Sequence, residues 1–532
     1  MGVGCSSHRS NKVQPFRINR PKSSSPCPPL PKTGIGIEDS DDYQSLFPFE
    51  NLVFEGGGIK GLAYVGALKA HRLRPYIHQE KKDEFTSSPL QVLDDIGVLQ
   101  NVKRYAGSSA GATCACLLAV GCTVEQLWEF LNQDIKKELQ DHSCGLLSLL
   151  PNLVRRYGWN PGSRLLKWFG NVLREQTGNP DITFMDVYER YGKELCIVTT
   201  NLDYMTEEYL HPKTTPSMPI REAVRLSISI PIVFQSPTRR QYGEINYYTD
   251  GGLICNYPIH AFDGWWLSLQ KKDGFMRRIR SLKSASLQYD RSERFKGRNA
   301  KSLGFLVFSQ GETELMRSSF GERENGDVLE RPNTKLARRR SKIRQEEEVD
   351  SAILDAVERL FQALTASDMN GSQFIEINEL RFAFKSEIGG FSSEDARVLF
   401  GHENVEQAFI ELDNDGDGKI SFDELALFIS RKGVNFNTYF LGYKRKAITN
   451  WRDFISSVHG ALAINVKRLF VREKDLDRTV GIDTDYVESS DYDLETDDKL
   501  FLVKAGIRAA KAFLKDNLKN RRIENCNFPR GL

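Results

Sequence analysis

Asn51-Leu52-Val53-Phe54-Glu55-Gly56-Gly57-Gly58-Ile59-Lys60-Gly61 runs from a short apolar segment straight into glycines. A brief apolar run bounded by turn residues reads as a buried strand, and residues 61–70 behind it carry a helical pattern. The same grammar returns downstream. Residues 102–106 form a second strand pattern, Gly107-Ser108-Ser109-Ala110-Gly111 a turn, and 110–120 a helix rich in small residues. A further strand pattern covers 195–200, and the apolar-aromatic run 245–248 leads into Asp250-Gly251-Gly252. Near the end, 478–482 again reads as a strand, and the helix after it places Leu500, Val503, Ile507, Ala510 and Leu514 on one face. Short buried strands alternating with helices predict a three-layer α/β domain.

The glycines carry a chemical expectation as well as a structural one. Successive backbone N–H groups in a glycine-rich turn can converge on an anion. Glycines on either side of Ser109 permit the sharp strand-to-helix elbow that exposes a nucleophilic hydroxyl. Each pattern alone is weak. Gly56-x-Gly58-x-x-Gly61 also fits a dinucleotide fingerprint, which wants an acidic residue ending a strand about 20 positions on. The chain near Glu80 is polar and Lys-rich instead. Asp250-Gly251 is also an ordinary turn pair.

Together, in this order, the glycine loop, the GxSxG elbow and the D-G-G aspartate resemble the patatin-like phospholipase family. Arg221-Glu222-Ala223-Val224-Arg225-Leu226-Ser227-Ile228-Ser229-Ile230-Pro231 resembles the family's segment before the aspartate, and Asp477-Arg478-Thr479 and Asp491-Tyr492-Asp493-Leu494 its closing segment. The resemblance covers about 49–325 and 440–520. It implies a nucleophile at Ser109, a general base at Asp250, and an oxyanion site built by Gly56, Gly57, Gly58, Gly61 and Ala110. Gly107 and Gly111 form the elbow, and Lys60 is expected to fix the loop. It implies membrane phospholipids or other acyl lipids as substrates and no cofactor in the chemistry. A Ser-His-Asp esterase using His260 is the alternative, since Ser109, Asp250 and His260 follow in the right chain order. A calcium-responsive membrane adaptor with an inactive hydrolase fold is the rival from another class.

A second constellation is independent of the first. Asp413-Asn414-Asp415-Gly416-Asp417-Gly418-Lys419-Ile420-Ser421-Phe422-Asp423-Glu424 matches the EF-hand calcium loop. Asp413, Asp415 and Asp417 supply carboxylates, Lys419 its carbonyl, Ser421 a water-mediated contact and Glu424 a bidentate carboxylate, with Gly418 at the turn. A weaker loop runs over 368–379. Asp368, Asn370, Ser372 and Glu379 hold ligand positions there, but Gln373 stands where the turn glycine belongs. An all-α EF-hand pair at 351–432, inserted into the hydrolase, is the expectation, with a charged linker at 326–350.

The remaining signals concern surfaces. Gly2 and Ser6 fit N-myristoylation, with Cys5 placed for a second acyl chain. Arg9, Lys12, Arg17, Arg20 and Lys22 follow, and no acid occurs before Glu38. One acyl chain anchors only marginally, so the thiol or the basic cluster supplies the second signal. Residues 1–48 therefore read as an anchor and Pro/Ser linker at the cytoplasmic face of a membrane. The basic, aromatic stretch 145–170 suits either a bilayer interface or a helical cap over the core. With 73 Lys and Arg against 71 Asp and Glu, net charge +2, the chain has no basic excess pointing to nucleic acid. Nine cysteines without CxxC spacing fit a reducing compartment.

Overall fold

The computed structural model describes residues 47–69, 93–94, 97–133, 135–141, 148–241, 243–279, 281, 283, 285–312, 316, 320, 329–347, 351–367, 374–385, 391–434 and 448–527. Gly2, Cys5, Asp368, Asn370 and Ser372 lie outside them.

The strands are β1 Asn51–Phe54, β2 Arg104–Ser108, β3 Gly158–Asn160, β4 Glu194–Asn201, β5 Thr206–Leu210, β6 Ile232–Phe234, β7 Thr238–Gln241, β8 Glu244–Asp250, β9 Ser302–Phe308 and β10 Thr479–Asp483. The main sheet runs β10-β9-β1-β2-β4-β8-β7, with β5 also on β4. From β10 through β4 every pairing is parallel, and β8 joins β4 antiparallel, Thr199 opposite Asp250. β3 and β6 pair separately.

Strand residues alternate between faces, and both faces are buried. Leu52, Phe54, Tyr105, Ile197, Phe305, Val307 and Ile482 enter one core. Val53, Ala106, Cys196, Val198, Leu306 and Phe308 enter another on the opposite side. This is why the strands read as continuous apolar runs, and it gives the expected three-layer α/β arrangement. Five cysteines among the described residues, Cys114, Cys116, Cys122, Cys196 and Cys255, are buried free thiols.

The helices used below are α1 Leu62–Leu68, α2 Ala110–Ala119, α3 Leu149–Arg156, α4 Ser163–Thr177, α5 Ile220–Ser227, α6 Lys335–Glu347, α7 Ser351–Ser367, α8 Ile377–Lys385, α9 Ser393–Phe400, α10 Val405–Leu412, α11 Phe422–Arg431, α12 Trp451–Phe470 and α13 Thr496–Asn527. The chain leaves the sheet after β9 and returns to it only at β10, which pairs with β9 itself. α13 packs on α1 and on β10. None of the described helices is long and apolar enough to cross a membrane.

Within 326–350, the described residues 329–347 are not the linker expected of a charge run. α6 buries Leu336 and Ala337 in the core. Arg340 lies 3.3 Å from Glu488 and 3.6 Å from Asp491, and Arg331 forks onto Asp485. The acids that neutralise the run lie far downstream, so local reading saw only the charge.

Helices α7 to α11 enclose a core of their own around Leu360, Leu380, Leu399, Phe400, Leu412, Ile420, Phe428 and Ile429. The chain before α8 and the chain before α11 meet at one antiparallel bridge, where Ile375 and Ile420 exchange amide-to-carbonyl bonds of 2.9 Å each.

Candidate active site

β2 ends in the core at Ser108, and the chain turns abruptly into α2. Ser109 takes φ 50° and ψ −125° at this turn. A positive φ on a residue with a Cβ is strained, and the surroundings hold it. The Ser109 amide donates to Ser227 Oγ at 2.9 Å, and Ser227 Oγ donates to the Val198 carbonyl at 2.6 Å. Close backbone contact behind the elbow demands glycine at both flanks. A Cβ on Gly107 would lie 2.2 Å from the Gly111 carbonyl oxygen, and one on Gly111 2.4 Å from that of Phe54.

Asp250 ends β8 and faces this serine. Ser109 Oγ donates to Asp250 Oδ2 at 2.7 Å, across 141 positions of chain. The other carboxylate oxygen accepts the Gly252 amide at 2.7 Å. The Asp250 amide donates to the Ser229 carbonyl at 3.0 Å, and Thr200 Oγ1 donates to the Asp250 carbonyl at 3.0 Å. Burial pushes the carboxyl up to about 6, although the bonds from Ser109 and Gly252 pull it down. A carboxylate poised near neutrality next to a hydroxyl suits it to act as a general base.

The glycine loop lies alongside. Gly56 donates its amide to the Asn256 carbonyl at 3.0 Å, so this amide is already occupied, contrary to its expected place among the oxyanion donors. Among the described residues, the amides of Gly57, Gly58 and Ala110 have no acceptor. Gly61 closes the single 3-10 turn Gly58–Gly61 and sits against Ala110. Gly58 has φ +56°, and a Cβ there would lie 2.2 Å from the Ser489 carbonyl oxygen. That carbonyl accepts the Ile59 amide at 3.2 Å. Lys60 Nζ reaches Glu312 at 3.5 Å, as expected of a loop-fixing residue.

His260 is placed elsewhere. Its Nε2 is 2.7 Å from the Tyr209 hydroxyl and 3.3 Å from Arg291, and its ring packs on Phe295. Burial, with Arg291 and Arg294 beside it, holds it well below the ordinary histidine range. The carboxylate that a Ser-His-Asp relay would give to histidine is bonded to Ser109 directly.

Several participants went unread in the sequence. Ser227 lay within the quoted segment 221–231, but its bond to the elbow depends on α5 crossing β4. Asn256 and Ser489 carry no local signature. Tyr492 is pushed up to about 12 by burial and then by the nearby Asp250 charge, which places it beside the site.

Stretch 145–170 divides. Leu165 and Phe169 of α4 are buried, and Trp168 stacks on Phe130 at 4.4 Å. Leu150 and Val154 of α3 are exposed at 69% and 68%, with Arg155 and Arg156 exposed beside them.

In the loop 413–424, carboxylate oxygens of Asp413, Asp415 and Glu424 lie within 4.8 Å of one another. Loop amides hold them in place: Gly418 and Gly416 donate to Asp413 at 3.0 and 2.8 Å, and Lys419 to Asp417 at 2.8 Å. Gly418 takes φ +81°. Glu379 Oε1 is buried with no partner among the described residues.

Residues 52–263 match the family model for patatin-like phospholipase. The match runs from β1 through β8 and takes in both Ser109 and Asp250, and over this stretch the chain is similar to a patatin-like phospholipase domain. An uncharacterized protein of Acanthamoeba polyphaga mimivirus is 28% identical over 220 residues, covering 40% of this chain and 61% of the relative. A probable lipid hydrolase of Invertebrate iridescent virus 6 is 25% identical over 220 residues, covering 40% and 62%. The chain thus spans under two thirds of the length of these relatives. The crystal structure of VipD from Legionella pneumophila is 16% identical, with TM-score 0.33, covering 88% of this chain and 67% of that one.

Proposed function

We propose that this chain is a calcium-binding, membrane-associated lipid acyl hydrolase of the phospholipase A type. The observation that carries the reading is the 2.7 Å bond from Ser109 Oγ to Asp250, formed at a strained elbow beside three amides that have no acceptor among the described residues. Ser109 Oγ attacks the ester carbonyl carbon while its proton passes to Asp250. The oxyanion is held by the Gly57, Gly58 and Ala110 amides, and each such donor typically contributes about 3 kcal/mol in the transition state. Collapse expels the lysolipid oxygen, which takes the proton from Asp250. Water, deprotonated by Asp250, then attacks the acyl-enzyme and releases the fatty acid, leaving Ser109 protonated again.

The donor set of the 413–424 loop fits a hard dication: clustered carboxylates, a carbonyl and a glycine turn. Asp413, Asp415, Asp417, the Lys419 carbonyl and Glu424 would hold Ca2+, which neutralises that cluster when bound and takes no part in the ester chemistry. Glu379 Oε1, buried and without a partner among the described residues, supports a second, weaker loop at 368–379. Gly2, Cys5 and the basic residues behind them support lipid anchoring at the cytoplasmic face of a membrane. Exposed Leu150, Val154, Arg155 and Arg156 on α3 support direct contact with that surface.

Hydrolysis of a chromogenic fatty-acyl ester, and of phospholipid vesicles read by lipidomics, tests the reading. Ser109→Ala should cut turnover by about a thousandfold or more. Turnover retained in a folded Ser109→Ala variant overturns it.

A further inference from the structure

Beside the glycine loop lie two buried ionisable groups that the chemistry above does not use. Glu55 immediately precedes Gly56, and Lys467 lies in the last turn of α12; they are 1% and 4% exposed. An ammonium has three N–H donors, and Lys467 engages all of them. Its Nζ lies 2.7 Å from the Val307 carbonyl, 3.2 Å from Glu312 Oε1 and 3.3 Å from Glu55 Oε1.

These partners lead into the loop from both ends. Glu55 Oε2 accepts the Val307 amide at 2.8 Å. Asn256 Nδ2 donates to Glu55 Oε1 at 3.2 Å and to the Gly56 carbonyl at 2.8 Å, while the Asn256 carbonyl accepts the Gly56 amide. At the far end, Lys60 pairs with the same Glu312 that Lys467 holds. Burial alone would push Glu312 up, but Lys467 and Lys60 hold it down at about 2. Two carboxylates and two ammonium groups thus form a charge-balanced quartet behind Gly56–Gly61.

Buried ion groups rarely add net stability over apolar packing of the same volume. What this quartet supplies is fixed geometry at a loop that has little side chain of its own. Helix α12 also packs against the turn Gly251–Leu253 that follows Asp250, so one helix abuts both halves of the site.

We propose that Lys467 is a positioning residue: by pinning Glu55 and Glu312 it sets the backbone of Gly56–Gly58, so that the Gly57 and Gly58 amides converge on the oxyanion. The proposal rests on the hydrolase reading for its consequence in catalysis, and on the contacts alone for its consequence in the loop. α12 is the first described helix after α11, so Lys467 is also where the chain returning from the helical module meets the site.

The test compares the full chain with Lys467→Met, which removes the charge and keeps the length, and with Lys467→Met/Glu312→Gln, which restores charge balance without the bridge. Amide exchange of peptides covering 55–62 is measured by mass spectrometry, and kcat and KM on the chromogenic ester. Exchange in 55–62 should accelerate about tenfold, while peptides from α9 and α10 stay unchanged. The kcat should fall roughly ten- to a hundredfold with KM within about twofold, as expected when a preorganised group moves by a fraction of an ångström. Should Lys467→Met fail to fold, the double variant carries the same expectations. Unchanged loop exchange, exchange raised across the whole sheet, or an unchanged kcat overturns the proposal. If the parent protein shows no turnover that depends on Ser109, the hydrolase reading falls instead, and the exchange measurement still decides whether Lys467 holds the loop.

Discussion

The Ser109–Asp250 pair and the 413–424 loop are both sets of oxygens held at short range, and they are built in opposite ways. The loop draws its donors from one contiguous run. Its carboxylates are fixed by amides a few positions away, and most of the loop is exposed. The Ser109–Asp250 pair joins residues 141 positions apart, and Asp250 is 4% exposed. It exists only because β2, β4 and β8 lie side by side, with Thr199 opposite Asp250. A local site can be altered without the fold noticing. A site assembled across strands shares its supports with the core, so damage to either is felt by both.

Substitutions can break that contrast, and the largest effect should come from the base. Asp250→Asn keeps the shape but cannot accept the Ser109 proton, and turnover should drop by about a thousand- to ten-thousandfold in steady-state assays. A near-normal rate would separate the short contact from any chemical role. Gly58→Ala comes next. The new methyl would meet the Ser489 carbonyl at 2.2 Å in a left-handed conformation, so the loop must shift, kcat should fall roughly a hundredfold, and the Tm should fall with it. An unaffected kcat would show that the loop does not contribute to the transition state.

A milder probe is acidity. As the proposed base, Asp250 must be ionised to act, and burial lifts its carboxyl to about 6. The kcat/KM should therefore decline below about pH 6, approaching tenfold per unit, and level off above it. A profile flat to pH 4 would contradict a buried carboxylate base. The smallest consequence for hydrolysis is expected at the local site. Glu424→Gln removes one anionic ligand and should weaken Ca2+ binding by about ten- to a hundredfold in calorimetry. The calcium-induced rise in Tm should shrink accordingly. Unaltered binding would place the ion elsewhere.

Comparison of the motifs with their surroundings shows what pattern alone conveys. The strand-glycine-helix units at 51–70 and 102–120 were legible because buried parallel strands leave continuous apolar runs, and sharp turns leave glycines. Ser109 and Asp250 stand out only through the resemblance of their motifs, taken together, to the patatin-like phospholipase family. The roles of Ser227, Asn256, Ser489 and Tyr492 carry no such signal, because each is an ordinary residue made useful by what it faces, even though Ser227 and Tyr492 lie in segments that resemble the family. Gly56 fits a donor by residue type, but the Asn256 carbonyl that occupies its amide is 200 positions away in sequence. The charge run at 335–344 misleads for the same reason: Arg340 is neutralised by acids on the segment after β10.

The sequence by itself determined the alternation of strands and helices, the strained elbow that only flanking glycines permit, and the acidic loop whose carboxylates are neighbours along the chain. These depend on periodicity and backbone sterics, which act over a few residues. The tertiary structure alone decided that β10 would return to complete the sheet, that Asp250 rather than His260 would meet Ser109, and that Lys467 would lie beneath the glycine loop. Those outcomes depend on which surfaces bury together, and burial joins residues without regard to their separation along the chain.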